Sequence, residues 1–530
     1  MRIRVKEFLL RKKEVCLVAG IVVIHFLVNY IWLKLDNFPL WFDFGGYYKR
    51  SIDLFYASQK GWVDFVQALQ GVGRYYEAYF PYRLILPLFS LPWYYLFGLS
   101  TDTAVMSSFL FMAIALFFTY AIASKLFDRP TGVLAAFILS TSPAFFIYYR
   151  RFSPDAAIIG LIGLTAYFLL CSDNFQRRGY SVLFGLGLGL SMMTKELSIV
   201  FIFGIVIYVL YKIFFYRSFL DARGRKRALI NFTIALCLAG VLMFPLYWLH
   251  RQRILLSLFG GPFSNAMRQK YGMPAPLSLQ GLTYYIYMIF DFGISPFACV
   301  FFILGLYLFL KRKIDHKWFL IVWLLSSYVI LSSAQTKAWY YGISLLIPIV
   351  LITSFGVNTL FRNKKARFLL IVIMVIGGIQ SLLVYSFPVF KVLDFFHLKK
   401  EYDISNTINE DWKLAEIVDY IRDNLSVAQK DALVYVGADL NALSPMTLDY
   451  VAAEKKVSLR FAGSHLIIED ILECDFVVFK SGIELGTFFP LEQARRVKEA
   501  LMKNRQFIKL QKEFSLPDGS QILIYKNLSL

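Results

Sequence analysis

Charge is what this 530-residue chain has least of. Only 17% of its residues are Asp, Glu, Lys or Arg, against 58% hydrophobic and 18% aromatic. A soluble globular chain carries about 25% charge and far fewer aromatics, so the composition excludes a wholly soluble protein. Cysteine is scarce as well. Cys16, Cys171, Cys237, Cys299 and Cys474 include no CxxC pair and offer no disulfide framework. The histidines show no HxxxH or HExxH spacing, which argues against a metal cage built from protein alone. There is no Walker motif, and Gly185–Gly189 is too apolar for a phosphate loop. Internal repeats and low-complexity linkers are absent too. Met1–Lys13 runs into an apolar stretch with no small-residue cleavage site behind it, so it does not read as a cleavable signal.

What the chain has instead is apolar runs, at 15–33, 84–99, 104–126, 131–149, 156–171, 180–215, 229–249, 282–310, 318–333, 339–361 and 368–387. Many reach the roughly 17–25 residues that cross a bilayer. The run 180–215 has 36 residues. As one helix it would measure about 54 Å, against a hydrocarbon core of about 30 Å. It is expected to break at its polar point, Thr194-Lys195-Glu196, and Gly185, Gly187 and Gly189 suit its first half to close helix packing. The run 84–99 would reach only about 24 Å, and it carries Pro87, Pro92 and the cluster Trp93-Tyr94-Tyr95, which prefers the interface.

Charge placement sets the topology. From Lys400 onward there are 16 Lys+Arg and 20 Asp+Glu, which leaves 40 and 16 for the rest of the chain. If 84–99 does not cross, six short stretches holding 24 Lys+Arg fall on one face, and that face is cytoplasmic. The opposite loops hold 14, spread over far more residues. The expected architecture is an all-α polytopic membrane domain over 1–390 with about eleven spans, interfacial helices in the first outer loop and a cytoplasmic N-terminus. A small extracytoplasmic α/β domain over 400–530 follows, with an amphipathic helix at Asp411–Asn424, strands at Ala432–Val436, Phe476–Lys480 and Gln521–Tyr525, a helix at Leu491–Asn504 and a turn at Leu516-Pro517-Asp518-Gly519. The basic excess suits cytoplasmic loops and anionic membrane lipid, and it marks no nucleic-acid surface.

This topology sends Asp43, Arg83, Arg150, Arg151, Asp155, Lys195 and Lys337 to the outer side. None of them lies in the six basic stretches that set the cytoplasmic face. Asp43 lies in Trp41–Ser51, WFDFGGYYKRS, just after the first span. A carboxylate so close to a membrane is costly without a task. Glycosyl transfer needs a base for the acceptor hydroxyl and cations for a departing phosphate. Asp43 fits the first role, and Arg83, Arg150, Arg151, Lys195 and Lys337 fit the second. Each cation also reads as a residue snorkelling from a helix end. Asp155 heads a span, where a carboxylate also favours a helix N-terminus. Glu77 is a further loop charge. Tyr341, with Trp339, Tyr340, Tyr47 and Tyr48, suits sugar stacking or a donor groove, and equally an aromatic belt. Asp43 and Asp155 are the pair that could share a divalent cation.

The order of these features resembles the glycosyltransferase C superfamily, in its protein O-mannosyltransferase and aminoarabinose-transferase-like branch. An Asp43-x-x-x-Tyr47 loop follows the first span, and Lys125-Leu126-Phe127 forms an inner turn. Ser142-Pro143, Arg151 and Pro154-Asp155 come next, then Gly189-Leu190 with Thr194-Lys195, and last Thr336-Lys337 with Tyr341 and Pro348. The resemblance covers roughly 15–390. It implies a polyprenyl-phosphate-sugar donor, a catalytic Asp43, a second acidic site at Asp155 and an inverting displacement onto a glycolipid, glycan or protein acceptor. Many such enzymes carry an acidic residue beside the first-loop Asp. Here Phe44 and Gly45 follow. A transporter or flippase of lipid-linked glycans would use the same cations without the base. It lacks support from matching half-repeats.

Overall fold

The computed structural model describes residues 2–72, 80–215, 221–260, 265–270, 272–314, 316–360, 364–393, 407–425, 431–463, 466–482, 485, 491–504 and 506–529. Glu77 lies outside them. The chain forms two compact units that do not follow chain order. The first holds 1–32, 82–86 and 106–406, and the second holds 33–81, 87–105 and 407–530.

The first unit is helical. Across the described residues seven helices are long and apolar enough to cross a membrane, or eight if the bent pair Arg129–Ser140 and Pro143–Tyr149 counts as one span. That pair bends by 65°. Pro143 has no N–H to continue the first helix, and the Thr141 and Ser142 hydroxyls turn back to the Phe137 and Ile138 carbonyls. The apolar run 180–215 breaks where its length demanded. One helix ends at Thr194 and the next begins at Ser198, with Lys195 extended between them. The run 282–310 also divides. Leu279–Met288 passes through a π-helical turn at Ile289–Gly293, and a new helix starts at Pro296.

The glycines of Arg178–Thr194 sit where backbones meet. A Cβ at Gly185 would strike the Ala235 carbonyl, while one at Gly187 would lie 2.7 Å from Thr165 Oγ1. One at Gly189 would lie 2.8 Å from Leu242 Cδ1. The helix is thus clasped on one side by Ala222–Leu249 and on another by Pro154–Cys171. Gly185→Val forces a backbone to move and is expected to cost about 1–3 kcal/mol. A lowered melting temperature of the detergent-solubilised protein is the measurement.

The second unit is built on a small sheet. Strands β1 (Ala432–Gly437), β2 (Leu459–Ala462), β3 (Phe476–Lys480), β4 (Phe507–Lys509), β5 (Phe514–Ser515) and β6 (Gln521–Asn527) lie in the order β2-β1-β3-β6-β4, with β5 also on β6. β1 is parallel to β2 and β3, whereas β6 runs antiparallel to its neighbours. β1 and β3 are short apolar runs because helices cover them. β2 and β4 are short and carry charge, and show no strand pattern in the sequence. Lys480 ends β3 almost fully buried and pairs with Asp518 of the turn before β6 at 2.7 Å. Ile85–Phe97 contains Pro92 and has 13 residues, about 20 Å, well short of a bilayer.

Candidate functional site

In the first unit the sequence candidates gather around the break after Thr194. Pro154 starts a helix whose cap is Ser153, which accepts a hydrogen bond from the Asp155 amide at 3.1 Å. This places the Asp155 side chain at the helix mouth. Because Lys195 is extended, its side chain leaves both helix axes, and its Nζ donates to Asp155 Oδ1 at 2.6 Å and Oδ2 at 2.8 Å. Both side chains are 7% exposed. The same ammonium lies 5.2 Å from the Tyr340 ring centre and 5.0 Å from that of Tyr341. Trp339 meets Tyr148 edge-on at 4.6 Å. The buried Asp155 and Lys195 therefore join the half-buried Tyr341 in one constellation of carboxylate, ammonium and aromatic faces.

The remaining cations are each built in. The Arg83 guanidinium forks onto Glu196, Nε to Oε2 at 3.0 Å and Nη2 to Oε1. The chain around it is fixed by the Leu84 amide, which donates to the Met193 carbonyl at 2.8 Å. Arg150 donates from Nε to Asn29 at 2.7 Å and from Nη2 to Ser386 at 2.6 Å. Its guanidinium also stacks on Trp32 and Phe146, and Arg151 shares the Trp32 ring. Lys337 donates to the Ser332 and Ala334 carbonyls at 2.7 and 2.8 Å. It thereby serves the last carbonyls at the end of the helix Lys317–Ser333, where a cation suits the helix dipole. All of these side chains are buried, so none is a snorkelling residue reaching water. Glu196, Asn29 and Ser386 were not singled out as site residues. An Asn inside the first span and a Glu inside an apolar run were the available signals.

The second unit holds Asp43. It opens the helix Asp43–Lys60 and is exposed. Phe42 before it adopts φ 43°, a region strained for a residue with a Cβ. The helix is seated on the tail helix Pro445–Glu454. The Tyr48 hydroxyl donates to the Glu454 carboxylate, and the Tyr56 hydroxyl donates to the Glu454 carbonyl at 3.1 Å. The chain entering this helix is tied to the start of the tail, with the Asn37 amide on the Ile408 carbonyl and the Ile408 amide on Asp36, both at 2.8 Å. Burial pushes the Tyr48 phenol up, and the Glu454 charge pushes it further. Burial likewise raises the Glu454 carboxyl, against the hydrogen bond from Tyr48.

The raised Glu454 value has a signed consequence. The folded state keeps this proton at pH values where the unfolded chain has lost it. Stability therefore falls as pH rises from the ordinary carboxyl value of 4.5 through the raised one, and is level above it. Asp411, Asp419 and Asp518 are held below their ordinary 3.8 by lysine partners, so their stabilisation is lost only at lower pH. Glu454→Gln is expected to flatten the melting temperature across the Glu454 window and leave the acid limb unchanged.

Among the described residues no group of three or more His, Cys, Asp and Glu is placed to hold a metal ion. Both Asp155 oxygens are taken by Lys195. The donor set does not fit a protein-held divalent cation at Asp155.

Residues 87–248 match the family described as dolichyl-phosphate-mannose-protein mannosyltransferase. No curated protein sequence matches the chain. The fold is that of ArnT from Cupriavidus metallidurans, with TM-score 0.60 and 14% identity over 97% of this chain and 98% of that one. The ArnT form bound to undecaprenyl phosphate gives TM-score 0.57, at 14% identity over 96% and 97%. The arabinofuranosyltransferase AftD from Mycobacteria gives 0.58 at 11% identity, over 96% of this chain and 40% of that one. An oligosaccharyltransferase from Archaeoglobus fulgidus, tethered with an acceptor peptide, gives 0.53 at 13%, over 87% and 69%.

Proposed function

We propose that this chain, a glycosyltransferase of the glycosyltransferase C type by its family match and its fold, moves a sugar from a polyprenyl-phosphate donor to a hydroxyl of an extracytoplasmic acceptor. The acceptor classes are a lipid-linked glycan, lipopolysaccharide or protein. The observation that carries the reading is the buried Lys195, held between Asp155 and the Tyr340 and Tyr341 rings. An ammonium fixed beside aromatic faces suits a phosphate joined to a sugar and a prenyl chain. Asp155 acts through Lys195. Arg150, Arg151 and Lys337 add positive potential in the same unit, while Arg83 is neutralised by Glu196.

Asp43 is the base. Its carboxylate takes the proton of the acceptor hydroxyl as that oxygen attacks the anomeric carbon. The bond from that carbon to the phosphate oxygen breaks, the polyprenyl phosphate leaves with the electron pair, and the anomeric configuration inverts. A lipid phosphate is already a fair leaving group, so no nucleotide site is required.

Counting Arg178–Thr194, the divided run 282–310 and Lys317–Ser333 with the eight candidate spans gives eleven. The N-terminus is then cytoplasmic and residues 400–530 lie outside. The test of function uses purified protein in liposomes with a labelled polyprenyl-phosphate sugar and candidate acceptors. A new glycosidic bond, seen by mass spectrometry, is expected. Label moved across the bilayer with no new bond would make the chain a transporter.

A further inference from the structure

The tail helix Pro445–Glu454 grips the Asp43 turn at both ends. Tyr450 and Glu454 lie four residues apart and so share one face of that helix. Glu454 accepts from the Tyr48 hydroxyl, one turn into the Asp43 helix. Tyr450 packs edge-on against Tyr48 at 5.3 Å, and its own hydroxyl meets the backbone of Leu40, three residues before Asp43. Between these two holds lies Gly45. A Cβ there would sit 3.0 Å from the Leu40 carbonyl oxygen and 3.1 Å from Tyr450 Cδ1. A side chain at position 45 therefore makes the Leu40 carbonyl or the Tyr450 ring give by a few tenths of an ångström, and Tyr450 is 3% exposed. The turn that this clamp encloses contains Phe42 at positive φ, a conformation that persists only where its surroundings impose it.

We infer that Tyr450 and Glu454 are positioning residues for Asp43, so that the tail sets the aim of the catalytic carboxylate. The clamp holds the Leu40–Gly46 backbone from outside the loop, and relaxing it lets Phe42 leave its strained conformation and turns Asp43 away. The tail is then part of the catalytic apparatus without touching either substrate. The inference rests on Asp43 being the base.

The test measures kcat and donor KM of the full-length protein in liposomes for Tyr450→Phe, Glu454→Leu, Glu454→Gln and Gly45→Ala, with Asp43→Asn as reference and Asp423→Asn, at the exposed end of the tail helix Leu414–Asp423, as control. Displacement of a reacting group by about 1 Å can cost on the order of 100-fold. Tyr450→Phe, Glu454→Leu and Gly45→Ala are expected to lower kcat about 10- to 100-fold with donor KM and the acid limb of the pH profile unchanged. Glu454→Gln, which keeps an acceptor for Tyr48, is expected to regain most of the loss, and Asp423→Asn to match wild type. If Asp43→Asn is inactive while all three clamp variants keep full kcat, the positioning role is overturned and the base stands. If Asp43→Asn turns over normally, the base assignment falls and this inference with it. Should Tyr450→Phe fail to fold, Glu454→Leu and Gly45→Ala decide the matter, and a shift in KM with kcat intact counts against positioning.

Discussion

Asp43→Asn is expected to lower kcat by about 10²–10⁴-fold, the range that a general base supplies. The change keeps the size of the side chain, replaces one acceptor oxygen by an NH2 donor, and removes the charge with which Asp43 takes the acceptor proton. Asp43 is exposed at the start of its helix, so the substitution leaves no buried charge behind and the fold should persist. Melting temperature and donor KM are expected to stay near wild type, which separates loss of chemistry from loss of structure. Asp43→Glu tests geometry from the other side. It restores a carboxylate one methylene too long, and should recover part of the rate. Wild-type turnover by Asp43→Asn on a polyprenyl-phosphate sugar would remove the base from the mechanism.

Much of the membrane unit was legible because bilayer physics writes itself into sequence. The length of 180–215 and its polar Thr194-Lys195-Glu196 located a helix break, and the structure breaks there. The glycine row of that helix announced close packing, and Ala235, Thr165 and Leu242 supply it. Strands β1, β3 and β6 carried apolar β-branched runs and were expected, whereas β2 and β4 are too short and too charged to stand out. The pairing of cations with their partners was hidden for a different reason. Arg83 meets Glu196, Arg150 meets Asn29 and Ser386, and Tyr48 meets Glu454. These partners are separated by 113 to 406 residues, and no periodicity or local propensity links residues so far apart. Residue type alone marks a set of costly polar side chains, and only the tertiary fold shows which of them are partners. The association of the first loop with the tail was hidden in the same way, since loop and tail are separated by the whole membrane unit.

Lys195→Met is expected to destabilise the protein by about 3–5 kcal/mol, because it leaves the buried Asp155 carboxylate without its cation. Asp155→Leu should cost a similar amount by stranding the ammonium. Both side chains are 7% exposed, and their contact is bidentate at 2.6 and 2.8 Å, so neither partner can turn to water. The double variant Asp155→Leu/Lys195→Met removes both charges, and hydrophobic replacement of a buried pair is often neutral or stabilising. Its melting temperature should therefore return toward wild type. Turnover should not return with it, since the donor phosphate has lost its central ammonium. The two readouts part company here. If the double variant recovers stability and full kcat together, the pair is structural support and Lys195 has no role at the phosphate. If stability recovers and turnover stays lost, evolution has kept an expensive buried ion pair for its charge at the donor and not for the fold.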